Sequence, residues 1–258
     1  MTPWSAFSPL LPLTPEEVRR HWARLHGGDG EPLPASPELL HAWTLYHRGD
    51  FEHAHDAGLA RARQGESDGL TVALRALCVY ATYLEPRSDQ RWRLFEEAQA
   101  QATRQTELQP DNPNAWYLLA YALGRHAQSI SVAKSIALGL GKRTRAALDR
   151  TLSLNPLHAD AHLALATFHA EVIDKVGEVV GAMTYGVSRA TGLSLYDRAG
   201  ELNPGSLVGM LETARGLMML DPDHQQPRSD RLYQQLRVAR TLDALEALVV
   251  GLANATDD

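Results

Sequence analysis

Four residues come nearest to a chemical constellation in this chain: His158, His162, His169 and Glu171. His162 and His169 are seven residues apart, so on a helix they share a face, and His158 lies one turn before His162. Imidazoles spaced this way can bind zinc or iron, which would give a metal- or small-ligand-binding helical protein, even a hydrolytic one. His169-Ala170-Glu171 also has the His-x-Glu spacing of zinc deaminases. That chemistry requires two cysteine ligands in a Pro-Cys-x-x-Cys element, and the chain has one cysteine, Cys78. A lone cysteine in the apolar run Ala76-Leu77-Cys78-Val79-Tyr80 reads as a buried, inert thiol. It also excludes an intrachain disulfide.

Gly139-Leu140-Gly141-Lys142-Arg143-Thr144 invites comparison with a phosphate loop, but Ile136 and Arg143 stand where the Walker pattern needs glycine and Ser or Thr. The plainer reading is a glycine-broken turn that starts a basic helix, with Lys142, Arg143 and Arg145 as an anion contact at its N-terminus. No Ser-His-Asp arrangement has a recognisable nucleophile elbow. The acidic pairs Glu16-Glu17 and Glu96-Glu97 read as solvated helix faces. The expectation is a non-enzymatic protein with no cofactor.

The elements around these residues repeat. Asn114-Ala115-Trp116 through Leu119-Ala120 to Leu123, then Leu154-Asn155-Pro156, returns as Asp160-Ala161-His162 through Leu165-Ala166 to His169, then Leu202-Asn203-Pro204. In this alignment His162 stands for Trp116 and His169 for Leu123, so both are expected to pack against a neighbouring helix. Thr14-Pro15-Glu16-Glu17 is a capping box with proline at the first helical position, and Ser36-Pro37-Glu38 starts the next helix in the same way. Leu39, Leu40, Trp43 and Tyr46 recur at helical spacing, Gly49-Asp50 turns the chain, and an Ala-rich helix follows to about Arg63. No alternating β-branched run predicts a strand.

Ala42, Gly49-Asp50-Phe51 and Ala54 resemble, in register, the tetratricopeptide repeat (TPR) family. Its repeat has a small residue inside the first helix, a Gly-Asp-aromatic turn and an alanine where the second helix packs closely. Taking Ala42 as the landmark, Ala76 follows after 34 residues, the usual repeat length of about 34. Ala120, Ala166 and Ala214 follow at steps of 44, 46 and 48. The proline that usually closes a unit is absent near residue 66, whereas Pro110, Pro156 and Pro204 close the later units. The long steps leave roughly a dozen extra residues per unit, enough for a short added helix, at Gln128–Gly139 and Asp174–Gly186. Long-insert units of this kind are similar to the TPR-like domain of regulator-of-microtubule-dynamics proteins and of related uncharacterised bacterial proteins.

The chain reads as all-α, with residues 1–13 expected to form an extended arm docking through Trp4, Phe7 and Leu10 and residues 254–258 a frayed end; the resemblance implies a TPR-like α-solenoid of stacked hairpins over residues 14–253. It further implies a concave groove that binds a peptide or protein segment. The groove positions carried over are Asn114, Tyr117, Tyr121 and Arg125 in one unit and Asp160, Leu163, Thr167 and Glu171 in the next. Near the C-terminus, Asp221-Pro222-Asp223 is expected to end a helix begun at Leu207, Gln225–Arg228 to form a polar turn, and Ser229–Ala239 with Leu242–Leu252 to make the last hairpin.

A net charge of −6 argues against a nucleic-acid or anionic-membrane binder. The proline-broken start, with no early Lys or Arg, is a poor signal peptide, and no stretch reaches the ~20 apolar residues of a membrane span. The expected location is cytoplasmic. Apart from a peptide partner, the apolar inserts leave room for a homo-oligomeric scaffold.

Overall fold

The computed structural model describes residues 4–255. Residues 1–3 of the expected arm and 256–258 of the end expected to fray lie outside the described residues. Among the described residues there are 14 helices and no strand. None of these helices is long and apolar enough to cross a membrane. Cα packing divides the chain into one unit of Met1–His26, Gly30–Leu154 and Asp243–Leu245, and another of Gly27–Asp29, Asn155–Leu242 and Glu246–Asp258.

The first unit begins with α1 (Pro15–Leu25). Its capping box forms as the sequence predicts: Thr14 Oγ1 accepts from the Glu17 amide at 3.2 Å and Glu17 Oε2 accepts from the Thr14 amide at 2.8 Å. Helices α2 (Pro37–Arg48) and α3 (Phe51–Arg63) form the first hairpin. Gly49 at its turn has φ +95°, the left-handed conformation that glycine adopts without strain. Helices α4 (Gly69–Tyr83) and α5 (Ser88–Leu108) form the second hairpin, and α6 (Pro113–Ser129) and α8 (Leu140–Leu154) the third. The short helix α7 (Val132–Ala137) falls on the first insert. Helices pack neighbour to neighbour: α3 against α4, α5 against α6, and α2, α4 and α6 in sequence.

The second unit pairs α9 (Ala159–Val176) with α11 (Arg189–Leu202) and α12 (Leu207–Leu220) with α13 (Pro222–Arg237), while α9 also packs on α12. The short helix α10 (Glu178–Tyr185), on the second insert, packs on α9. Helix α14 (Ala244–Asn254) ends the fold and carries the buried Val249 and Ala253. The core of this unit joins Leu163, Ala166, Ala170 and Ile173 of α9 to Val187, Tyr196, Ala199 and Leu220. All five alanine landmarks are buried, with no more than 2% of any of them exposed.

One joint recurs three times. Helices α5, α8 and α11 end on Leu108, Leu154 and Leu202, each followed by one residue and then proline. The pre-proline residue is pushed out of the α region, which stops the helix. Two residues after each proline comes the cap of the next helix: Asn112, His158 and Ser206.

The polar turn expected at Gln225–Arg228 does not form, because α13 runs straight through Pro227. Pro222 takes the first helical position, where its missing N–H costs nothing. Pro227 removes a bond to the carbonyl of Asp223, an exposed residue near the helix start whose carbonyl water can satisfy.

The arm docks on the first unit. The Trp4 ring stacks on Tyr80 at 4.3 Å, the Leu11 amide donates to the Arg48 carbonyl at 3.0 Å, and Phe7 lies against Gly49, while Leu10 is exposed. Tyr80 accepts from the Ser5 amide at 3.0 Å and donates to the buried Glu85 carboxylate at 2.9 Å. Arg87 donates to the same carboxylate from Nε (2.8 Å), Nη2 (2.9 Å) and its amide (3.0 Å). The Arg87 side chain is the main cause that holds the Glu85 pKa down at about 2, against the opposing effect of burial.

A carboxylate depressed in the folded state stabilises the fold above its unfolded pKa, near 4.5, and that contribution is lost as pH falls toward about 2. Acid denaturation should therefore steepen over this window. Glu85→Gln should cost about 2 kcal/mol at neutral pH and flatten that part of the profile, as read by urea melts across pH.

In the second unit, the hydroxyl end of Tyr196 lies against Gly216, where a Cβ would overlap it, whereas Gly200 in α11 faces open space. Gly216→Ala should destabilise the protein by roughly 1–3 kcal/mol through overpacking. Gly200→Ala should stabilise it by about 0.5–1 kcal/mol by stiffening the unfolded chain. Thermal melts of the two variants should move in opposite directions.

Candidate functional site

The three histidines take three separate structural roles. His158 is the N-cap of α9, and its Nδ1 accepts from the Ala161 amide at 3.1 Å. His162 donates from Nε2 to the Pro156 carbonyl at 2.9 Å. Trp116 donates from Nε1 to the Pro110 carbonyl at 2.8 Å, so the two rings do the same work six residues after their closing prolines. His169 is buried, and its Nδ1 accepts from the Ser188 amide at 3.1 Å, tying α9 to the start of α11. Glu171 instead pairs with Lys175 at 2.7 Å. Among the described residues, no group of three or more His, Cys, Asp or Glu side chains could hold a metal ion.

A Gly-x-Ser-x-Gly pattern, taken as absent when the motifs were read, does occur at Gly65-Glu66-Ser67-Asp68-Gly69. It forms the turn between α3 and α4, whereas a nucleophile elbow follows a strand. The Ser67 hydroxyl accepts from Gln109 at 3.0 Å, which makes it a joint between α5 and this turn. Cys78 is fully buried, and burial pushes its thiol up to about 12, as an inert core residue requires.

The residues expected to face a groove are buried or half-buried. On α6, Asn114 donates to the buried Glu31 carboxylate. The Tyr117 and Tyr121 rings lie 6.3 Å apart, edge to face. The Arg75 guanidinium of α4 lies 5.6 Å from the Tyr117 ring centre, and the Arg125 guanidinium 5.3 Å from that of Tyr121. Tyr121 shares a 2.9 Å hydrogen bond with Thr82 of α4, and Arg125 donates to Gln128 at 3.0 Å. Three of the four α6 residues thus belong to one face of cations and aromatics shared with α4. Arg75 and Thr82 were missed by the sequence reading, because only the packing of α4 on α6 brings them there.

On α9, Asp160 lies against Gly28, where any Cβ would overlap its carboxylate, and its amide donates to the Gly28 carbonyl at 3.0 Å. Leu163 enters the core. Thr167 hydrogen-bonds to the Tyr196 hydroxyl at 3.2 Å, and burial raises the pKa of that phenol. The basic cluster stands where α8 begins: Lys142 and Arg143 are exposed, and Arg145 makes a two-oxygen contact with Asp149 at 2.9 and 3.0 Å.

A second polar cluster also escaped the sequence reading. His47 of α2 meets Asp243 at 2.9 Å through Nδ1, and His26 at 3.3 Å through Nε2, all three buried. Trp22, Trp43 and Tyr46 enclose them with ring centres 4.1 to 6.4 Å away. Residues 196 apart meet here, so no spacing rule could reveal the pair. Its burial inside an aromatic cage assigns it to holding Asp243 on α2.

No family model and no curated protein matches the chain.

His158→Ala should cost about 1 kcal/mol by removing the cap of α9, and His158→Asn should restore most of it, since an Asn side chain also caps. Urea melts of the two variants distinguish capping from metal binding, which Asn would not rescue.

Proposed function

We propose that the chain is a non-enzymatic helical-repeat adaptor of TPR-like type, which holds a peptide or protein segment against the α4/α6 face through Tyr121 and Arg125. The observation that carries this reading is the pairing of two guanidinium groups with two tyrosine rings, Arg75 on Tyr117 and Arg125 on Tyr121. Tyrosines held in place supply stiff contact area, and a guanidinium fixed on a ring can grip a carboxylate with little further loss of entropy. Neither needs a reacting group, and an acidic or C-terminal peptide fits this chemistry. The repeated joints and buried landmarks support the family reading, since a repeat protein spends its invariant positions on stacking and its variable ones on a partner.

The test is a peptide array and pull-down comparing the wild-type protein with Tyr121→Ala/Arg125→Ala. Loss of roughly 2 kcal/mol, about thirtyfold in affinity, is expected for carboxylate-bearing peptides. Tyr121→Phe keeps the ring and should keep most of the binding. Identical partner profiles for wild type and double variant would remove the groove assignment.

A further inference from the structure

Helix α7 turns an apolar stripe outward. Val132 and Ile136 are one turn apart, Ala133 and Ala137 lie beside them, and Leu138 follows; all five are exposed, Ile136 by 57%. No residue of this helix is buried. It is held through its other residues: Ser131 accepts from the Lys134 amide at 3.3 Å, and the Lys134 ammonium lies 4.6 Å from the centre of the Trp92 ring.

Along the chain, the stripe lies in a segment whose charged residues are all cations, although Arg145 is paired with Asp149. Between Asp111 and Asp149 the chain carries Arg125, Lys134, Lys142, Arg143 and Arg145 and not one Asp or Glu, in a protein whose net charge is −6. Lys142 and Arg143 stand exposed at the start of α8, a few residues beyond Leu138. Helix α10 provides a contrast. Its Val179, Val180 and Met183 are also exposed, but Asp174, Lys175, Glu178 and Arg189 around it cancel in charge.

Exposed apolar side chains beside exposed cations are complementary to an anionic bilayer surface. The side chains enter the boundary between headgroups and acyl chains while the cations face lipid phosphates and carboxylates. A protein groove would ask for a longer helix with anchors over several turns, and α7 has six residues. We propose that the segment Ser131–Arg143 docks this protein on an anionic lipid surface, with Val132, Ile136 and Leu138 inserted and Lys142 and Arg143 on the headgroups. This goes beyond peptide binding and does not depend on it. It also revises the expectation drawn from net charge: screening over about 8–10 Å means that a surface senses the local charge, not the total.

The experiment is co-sedimentation of the full chain with vesicles of phosphatidylcholine alone or with phosphatidylserine added. Binding should appear on the phosphatidylserine vesicles only and fall as salt rises. Ile136→Asp and the pair Lys142→Glu/Arg143→Glu should each weaken it by about tenfold or more, with unchanged circular dichroism because the sites are exposed. Met183→Asp should leave binding intact. No sedimentation at low salt would overturn the proposal, as would undiminished binding by both stripe and cation variants. An equal loss in Met183→Asp would reduce the effect to net charge and overturn it as well. Binding to an acidic amphipathic peptide without binding to vesicles would assign the surface to a protein instead.

Discussion

Close approach of helix backbones at positions without bulky side chains is the constraint on which the rest of this structure depends. Ala42, Ala76, Ala120, Ala166 and Ala214 are buried inside the first helices of successive hairpins. The tightest case lies between α3 and α4, where a Cβ on Gly58 would meet the Gly69 carbonyl oxygen at 2.6 Å and a Cβ on Gly69 would overlap the Gly58 carbonyl. Interiors pack at crystal-like density, so one methyl group in such a contact must displace a helix. With the small positions fixed, the large residues are forced to flank them, as Trp43 beside Ala42 and Tyr121 beside Ala120 do.

This packing also apportions the polar chemistry. Side chains on the first helices are drawn against a neighbouring helix, so their hydrogen-bonding groups must find partners there. Tyr121 finds Thr82 and Thr167 finds Tyr196, while Asn114 finds Glu31 in the loop between α1 and α2. His158 and His162, which look like ligands when spacing alone is considered, satisfy backbone groups at a helix start. The inserted helices have support on one side only, and that is why α7 and α10 carry much of the exposed large apolar surface.

How legible the protein was depended on the range of the interaction. Capping at Thr14, Ser36 and Ser206, the left-handed turn at Gly49 and the stops before Pro110, Pro156 and Pro204 act within a few residues, and the chain displays them directly. The failure at Pro227 has the same root: a strong local rule was applied where the lost bond faces solvent and costs little. Tyr117, Tyr121 and Arg125 on the α6 side of the candidate face were named only through the family resemblance. Arg75 and Thr82 could not be named in this way, because they come from a different hairpin.

The sequence by itself determined an all-helical chain, the register of its small residues, the joints between its helices and the place of its two inserts, because helix periodicity, capping and proline sterics are local. Tertiary structure alone decided which distant polar residues meet: Ser5 of the arm on Tyr80, His47 against Asp243, and Arg75 and Thr82 of α4 against Tyr117 and Tyr121 of α6. Those contacts depend on which helix faces end up opposed. That choice is set by the summed burial of many side chains across distant segments, and no spacing along the chain records it.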